Sequence, residues 1–193
     1  MKPLTLEDIQ DKDSYLETRD EIRRKIRAEK NKRRIIVGDH CSVHFENRDT
    51  MSYQVHEMLR AENTWNRPEA IEDELEAYNA LIPGEGELSA TVMFEYPTLE
   101  EREEFLPKFV GVDKHIWLQI GDTEPILAEL DRGQIDEHKV SSVQYAKWNL
   151  DPERRKLLKS DGTVMRISID HPAYQAQAVL SEESRKAIMN DPD

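Results

Sequence analysis

The sequence predicts an α+β fold in which several helices pack against a mostly antiparallel sheet. Two stretches, 33–45 and 163–180, have apolar residues at alternate positions around a short turn, which is typical of hairpins with one buried face. Other stretches have the wider apolar spacing of amphipathic helices. No internal repeat or low-complexity linker divides the 193 residues. We therefore expect a single domain over 1–193, with N-terminal helices at 1–32 and a sheet-containing core at 33–193.

The N-terminal region predicts two consecutive helices. Thr5 precedes a segment that begins with acidic residues and ends with basic ones, an order that complements the helix dipole. The apolar stripe of this segment is interrupted, which favours two helices over one. Residues 19–34 contain nine basic and three acidic side chains, so the second helix should carry a basic face.

The first hairpin is predicted in detail by its alternating residues. A three-residue loop at 38–40 gives one clean apolar face, whereas a two-residue turn mixes polar and apolar residues on both faces. We expect His40 in or near the left-handed region, and Cys41 as an unreactive core thiol. The predicted pairs are Arg33 with Phe45, Ile35 with Val43 and Val37 with Cys41, and the apolar face is Ile35, Val37, Cys41, Val43 and Phe45.

Helices and strands alternate in the middle of the chain. Asp49 or Thr50 should cap the helix that follows the hairpin, and Pro68 suits the first turn of the next helix. An acidic helix is expected over 98–110, broken near Pro107. Strands are predicted at 88–96, 115–121, 124–130 and 141–150.

The C-terminal hairpin has the clearest strand signal. Pairing Ile169 with Tyr174 aligns apolar and small side chains on one face. Ser181 should cap a final helix, which is followed by a frayed acidic end. The aligned face is Met165, Ile167, Ile169, Tyr174, Ala176, Ala178 and Leu180.

The charge pattern limits the classes of partner. A formal net charge of −13 argues against general binding to nucleic acid or to an anionic membrane. The charge is unevenly distributed, because segment 67–104 contains twelve acidic residues and two basic ones. The basic helix can therefore dock on an acidic surface, within the molecule or between copies.

The remaining composition points to a cytoplasmic protein. A single cysteine, Cys41, excludes an internal disulfide and a thiolate-rich metal cluster built from this chain alone. The first residues lack the apolar core of a signal peptide, and no apolar run approaches the ~20 residues of a membrane span. Phosphate-binding glycine loops, dinucleotide fingerprints and nucleophile elbows are also missing from the sequence.

Three side chains form a candidate metal site. His44 and Glu46 are two positions apart on one strand face, about 7 Å from each other, so both can ligate one cation. His56 would add a third ligand if its helix folds back over the hairpin, which gives a two-His-one-carboxylate set suited to iron or zinc. The alternative is that all three are ordinary solvent-facing polar residues.

Four phrases of the sequence resemble landmarks of a bacterial family known as domain of unknown function 3501. They are FENRDTMSYQVHEMLRAE, ELEAYNALIPGEGELSATVMFEYP, HIWLQIGD and DHPAYQAQAVL, and the resemblance spans nearly the whole chain. It implies genes beside rubrerythrin-like non-haem iron proteins and iron–sulfur oxidoreductases, and so a role in peroxide defence or electron transfer at low oxygen. This implication rests on the association with neighbouring genes, and it does not identify a reaction.

Polar residues of the first phrase surround the junction between the hairpin and the following helix. Glu57 and Arg60 have the three-residue spacing of a helical ion pair, and Tyr53 and Arg60 are residue types that anchor interfaces. We predict a ligand or partner site at this junction, formed by Glu46, Asn47, Arg48, Tyr53, Gln54, Glu57 and Arg60.

Two main hypotheses of function follow. The first is an accessory or docking protein without a cofactor, self-associating, that meets an iron–sulfur or rubrerythrin-type partner through the junction. The alternative is a mononuclear iron or zinc enzyme that uses His44, Glu46 and His56. A third hypothesis, regulation through nucleic-acid contacts of the basic helix, is disfavoured by the net charge.

Overall fold

The structure, a computed structural model, describes residues 1–131, 133 and 140–193. Within these ranges the helices are α1 (Lys12–Arg33), α2 (Arg48–Glu62), α3 (Pro68–Asn79), α4 (Leu99–Phe105), α5 (Pro152–Lys159) and α6 (Glu182–Ile188). The strands are β1 (Arg34–Ile36), β2 (Cys41–Phe45), β3 (Glu87–Phe94), β4 (Ile116–Ile120), β5 (Ile126–Leu127), β6 (Glu129–Leu130), β7 (Val143–Asn149), β8 (Met165–His171) and β9 (Tyr174–Val179). Short 3₁₀ segments lie at Leu6–Asp8, Leu106–Phe109 and Val112–Lys114.

The strands form two antiparallel sheets. The five-stranded sheet has the order β1-β2-β3-β7-β6, and the four-stranded sheet has the order β5-β4-β8-β9. Both sheets contribute to one apolar core, in which Trp148 of β7 and Leu118 of β4 are inaccessible to solvent. The predicted α+β class is confirmed, with the strands divided between two sheets rather than gathered in one.

Helices α1, α2 and α3 lie over the other face of the five-stranded sheet. Tyr145, which points away from the core side of β7, packs against a second apolar cluster that includes Val55 of α2, Leu75 of α3 and Leu4. Helix α2 packs against both α1 and α3. No helix in the described ranges is both long and apolar enough to cross a membrane.

The first hairpin has the predicted register. Ile35 pairs with Val43, and the N–H of Val37 donates to the carbonyl of Cys41 at 2.8 Å. All five side chains of the predicted apolar face are buried. The period of two therefore identifies the core side of this hairpin correctly.

Two details of the hairpin differ from the prediction. Arg33 does not pair with Phe45, because it is still the last residue of α1. The positive φ, 73°, belongs to Gly38 and not to His40. Glycine is needed at this position because a Cβ on Gly38 would lie 2.6 Å from the hydroxyl of Tyr174.

The C-terminal hairpin is shifted from the predicted pairing. Ile169 pairs with Ala176 and His171 with Tyr174, so the predicted pair of Ile169 with Tyr174 is wrong. The chain makes a two-residue turn, in which the imidazole of His171 accepts a hydrogen bond from the N–H of Ala173 at 3.2 Å. The shift is by two residues, which keeps the same side chains on the same face.

Several predicted elements need correction at their ends. The N-cap of helix α2 is Asn47, not Asp49 or Thr50. The side chain of Asn47 accepts from the N–H of Thr50, and the hydroxyl of Thr50 accepts in turn from the N–H of Asn47 at 2.9 Å. The predicted strand at 124–130 is divided into β5 and β6, one in each sheet. Helix α5 is not predicted by the sequence reasoning, although Asp151 provides a regular N-cap for it.

Helix α1 is held at two points by arginine side chains. Near its start, Arg19 forms a bidentate pair with Glu57 of α2, at 2.7 and 2.8 Å. At its end, Arg33 pairs with Asp191 at 2.6 Å, and both side chains are 4% exposed. Only Tyr15 and Arg33 of α1 are fully buried, so apolar burial contributes little to its position.

The end of the chain is not frayed, contrary to the prediction. Asp191 is buried against Arg33, and the carbonyl of Pro192 accepts from the N–H of Gly86 at 2.7 Å. Lys159 pairs with the side chain of Asp193 at 2.6 Å. The acidic C-terminal residues are thus bound by basic and backbone groups from three separate parts of the chain.

Replacement of Arg33 should weaken the whole fold. We expect Arg33→Met to lower the free energy of unfolding by about 3 kcal/mol, because the Asp191 carboxylate is left buried without its partner. Lys32→Met is the matched control, since Lys32 is half-exposed and lies 3.9 Å from Glu183, and its effect should stay within about 0.5 kcal/mol. Urea denaturation followed by circular dichroism measures both values, and equal stabilities would contradict the prediction.

The contact between α1 and Glu57 predicts a loss of stability in acid. Hydrogen bonds from Arg19 and Tyr15 lower the pKa of Glu57 from 4.5 to about 2. The folded-state pKa is lower than the unfolded one, so ionised Glu57 stabilises the fold above pH 4.5 and this contribution is lost as the pH falls towards 2.

Glu57→Gln should therefore lower the free energy of unfolding at neutral pH by about 2 kcal/mol. It should also flatten the dependence of stability on pH in the acid range. Glu62→Gln, an exposed position on the same helix, should leave both unchanged. Denaturation curves over the acid range test this, and parallel pH profiles for wild type and Glu57→Gln would count against it.

Candidate functional site

The polar face of α2 binds the N-terminal segment of the same chain. Arg48 pairs with Asp8 at 2.7 Å and donates to the carbonyl of Lys2 at 3.1 Å. Glu57 accepts from the hydroxyl of Tyr15 at 2.8 Å, in addition to its pair with α1. These two members of the predicted junction are therefore committed to contacts within the molecule.

Glu46 and Asn47 connect the first hairpin to α2. Glu46 is 6% exposed, and its carboxylate accepts from the hydroxyls of Thr50 and Thr91 at 2.7 and 2.9 Å. Asn47 caps the helix. The expectation that Glu46 faces solvent is wrong, because helices cover this face of the five-stranded sheet.

Tyr53, Gln54 and Arg60 complete the predicted junction. The predicted ion pair of Glu57 and Arg60 is present, at 3.3 Å. The ring of Tyr53 has its centroid 5.9 Å from the Lys30 ammonium. Gln54 lies close to Tyr78 of α3 and lowers the pKa of its hydroxyl, against the larger effect of burial, which raises it. The junction residues thus lie just before α2 and along it, and most of them bind other parts of the same chain.

His44, Glu46 and His56 are not brought together as one set. Nδ1 of His56 donates to the carbonyl of Ser52 at 2.7 Å, and its Nε2 accepts from the N–H of Gln10 at 3.1 Å, so both ring nitrogens are occupied. His44 and Glu46 line a different cavity. Nowhere in the described ranges do three or more His, Cys, Asp or Glu side chains converge to hold a metal ion. These three side chains therefore do not form the predicted metal site.

A cavity of about 400 Å³ lies between the five-stranded sheet and helices α1, α2 and α3. We call it the sheet–helix cavity. Its floor includes a row of three residues in register across neighbouring strands, and one polar side chain from each helix lines its walls. The floor residues are His44 of β2, Thr91 of β3 and Tyr145 of β7, and the wall residues are Lys30, Gln54 and Tyr78.

Hydrogen bonds around His44 determine its tautomer. The hydroxyl of Ser42 donates to Glu95 at 2.8 Å, so it accepts from Nε2 of His44 at 2.9 Å. Burial lowers the pKa of His44, and the neutral ring keeps a lone pair on Nδ1. Within the described residues Nδ1 has no hydrogen-bond partner. His44 thus offers a neutral acceptor at the cavity.

Sequence reasoning missed four polar residues of the cavity: Lys30, Tyr78, Thr91 and Tyr145. Alternation places Thr91 and Tyr145 on the polar faces of their strands, but only the pairing of β3 with both β2 and β7 brings them beside His44. Lys30 belongs to the basic run, and the run itself gives no signal that this one ammonium lies beside the sheet.

Comparisons with known proteins agree with this end-to-end fold. The family model described as "Protein of unknown function (DUF3501)" matches residues 3–192. A crystal structure from Burkholderia pseudomallei K96243, described as a novel protein of unknown function, shares 28% sequence identity over 100% of both chains, with a TM-score of 0.92. Curated proteins gave no match. The resemblance drawn from the sequence is confirmed, and the chain belongs to the DUF3501 family of proteins of unknown function.

Proposed function

We propose that this protein is a cytoplasmic accessory protein that binds a small organic anion, with a carboxylate or phosphate group, in the sheet–helix cavity. The observation that carries the proposal is the Lys30 ammonium, which lines the cavity and has no acidic partner among the described residues. A volume of about 400 Å³ is within the range of small-molecule sites.

The environment of Lys30 favours an anion. Other basic residues of α1 that contact the rest of the molecule have an acceptor there. Arg19, Lys32 and Arg33 are paired with carboxylates. Lys12 donates to the side-chain oxygen of Asn63 at 2.8 Å. Lys30 is half-buried like Arg19, but within the described residues its ammonium contacts the ring of Tyr53, at the outer limit of a cation–π contact, and no carboxylate. A ligand anion would supply the missing counter-charge through a charge-assisted hydrogen bond.

The other polar groups suit a ligand with a hydrogen-bond donor as well as an anionic group. The hydroxyl of Tyr145 has no hydrogen-bond partner in the described part of the chain and is free to donate. Nδ1 of His44 is free to accept. Glu46 repels the anion less than a free carboxylate would, because both its oxygens already accept from threonine hydroxyls.

The same hydrogen bonds favour binding over nucleophilic catalysis. A serine nucleophile must pass its proton to a neighbouring base. Here the Ser42 proton points to Glu95, and His44 donates to Ser42 rather than accepting from it. Ser42 and His44 therefore act as a fixed hydrogen-bonding surface.

The family resemblance supplies the class of protein beside which this one would act. Rubrerythrin-type and iron–sulfur partners suit a role in which ligand binding accompanies docking during peroxide defence or electron transfer. A binding titration with a purified rubrerythrin-type protein, with and without the anion, tests this wider role separately from the cavity.

Loss of the Lys30 charge should weaken ligand binding strongly. In a thermal-shift series with inorganic phosphate and short mono- and dicarboxylates, at least one anion should raise the Tm of the wild type. Removal of a charge-assisted contact costs about 1.5–3 kcal/mol, so Lys30→Met should raise the Kd of that anion roughly ten- to a hundredfold in isothermal titration calorimetry. Lys25→Met is the matched control, because Lys25 is exposed on the same helix and paired with Glu21.

Tyr145→Phe gives a second, smaller measure of the same site. It removes one neutral hydrogen bond, worth about 1 kcal/mol, and should raise the Kd several-fold. The proposed function is wrong if no anion stabilises the wild type, or if Lys30→Met and Lys25→Met bind the anion equally well.

A further inference from the structure

Two charged strips of opposite sign lie on the helices that flank α2. Helix α2 packs against both α1 and α3, so it separates the two strips. The basic strip is Arg23, Arg24 and Arg27 of α1, and the acidic strip is Glu69, Glu72, Asp73 and Glu76 of α3. All seven side chains are exposed, and none forms an ion pair within the described ranges.

The basic strip lies along a shallow groove. Arg24 and Arg27 are three residues apart and Arg23 and Arg27 four apart, so the three guanidinium groups project from one side of α1. Small side chains continue this side of the helix and leave a groove of about 510 Å³. The groove is lined by Asp20, Arg23, Arg24, Arg27, Ala28 and Asn31. This shape leaves room for a second helix beside the arginines.

The acidic strip follows one face of α3. Its four positions have the i, i+3, i+4, i+7 spacing of a single helical stripe, while Leu75 packs on the side towards α2. The pKa of the neighbouring Glu74 is raised by burial and by the charges of Glu62 and Asp73. The carboxylates of this region thus crowd one another without a basic counterpart in the described chain.

We infer that the basic strip of one copy binds the acidic strip of a second copy in a two-fold symmetric dimer. A two-fold axis passing over α2 exchanges α1 and α3, so both pairs of strips meet at once and the interface closes. The strips extend about 6 Å and about 10 Å along their helices, at 1.5 Å per residue. Three arginines and four carboxylates per contact are close to balanced.

Charge favours a second copy over nucleic acid as the occupant. A nucleic acid that approached the arginines would also meet a molecule with a net charge of −13. A second copy carries the same net charge but presents a strip of opposite charge to the arginines, and its own arginines neutralise the first copy's acidic strip. This inference is independent of the sheet–helix cavity, since none of the strip residues lines it.

Charge reversal provides the test. At low ionic strength, sedimentation equilibrium should show a wild-type dimer whose Kd rises at least about tenfold in high salt, because exposed charges are screened. Arg23→Glu/Arg24→Glu/Arg27→Glu and Glu69→Lys/Glu72→Lys/Glu76→Lys should each be monomeric. An equimolar mixture of the two variants should form a heterodimer, because each strip then faces its opposite.

A control variant separates the effect of the two strips from the effect of the net charge of the molecule. Lys2→Glu/Lys114→Glu/Lys156→Glu changes the charge by the same amount at exposed sites outside both strips, and it should remain a dimer. All substituted side chains are exposed, so unchanged Tm values should accompany the changes in assembly. A monomeric wild type at low salt, a mixture that stays monomeric, loss of the control dimer, or binding of duplex DNA by monomers would each overturn the inference.

Discussion

The position of α1 depends on two arginine–carboxylate pairs. Arg19 binds Glu57 on α2, and Arg33 binds Asp191 at the C-terminal end of the chain. A helix with so few buried residues gains little from apolar burial, so these pairs determine where it lies. Lys30 lies between these two arginines in the sequence, and it lines the sheet–helix cavity because both pairs fix the helix in place. The position of Lys30 in the cavity wall is thus a consequence of contacts made outside the cavity.

Side-chain alternation predicts the faces of the hairpins better than their register. In the first hairpin both the predicted faces and the predicted register are correct. The turn lies where Gly38 allows it, because the missing Cβ lets the backbone approach Tyr174. In the second, a shift of two residues keeps every face unchanged, so the pattern cannot distinguish Ile169 opposite Tyr174 from Ile169 opposite Ala176. The observed register is set by a tight turn, which His171 stabilises by accepting a hydrogen bond from the backbone N–H of Ala173.

The same limit applies to the candidate site. Alternation correctly separates His44 and Glu46 from the apolar face, but it does not show whether water or helices cover the polar face. The pairing of β3 with β7, which are far apart in sequence, places Tyr145 in line with His44. Polar residues on α2 suggest a surface for a ligand or a partner, whereas Arg48 and His56 bind the N-terminal segment of the same chain.

Helix α1 is rich in charged residues although it has a fixed place in the fold. Its basic residues have different surroundings: Lys30 lines the sheet–helix cavity, while Arg23, Arg24 and Arg27 are exposed to solvent. A broad apolar face on this helix would replace some of these charged positions with apolar residues. Two bidentate or buried arginine contacts hold the same helix through few residues, because each is directional and strong. The positions between them therefore remain available for charge, and a basic helix on an acidic protein becomes compatible with a fixed place in the fold.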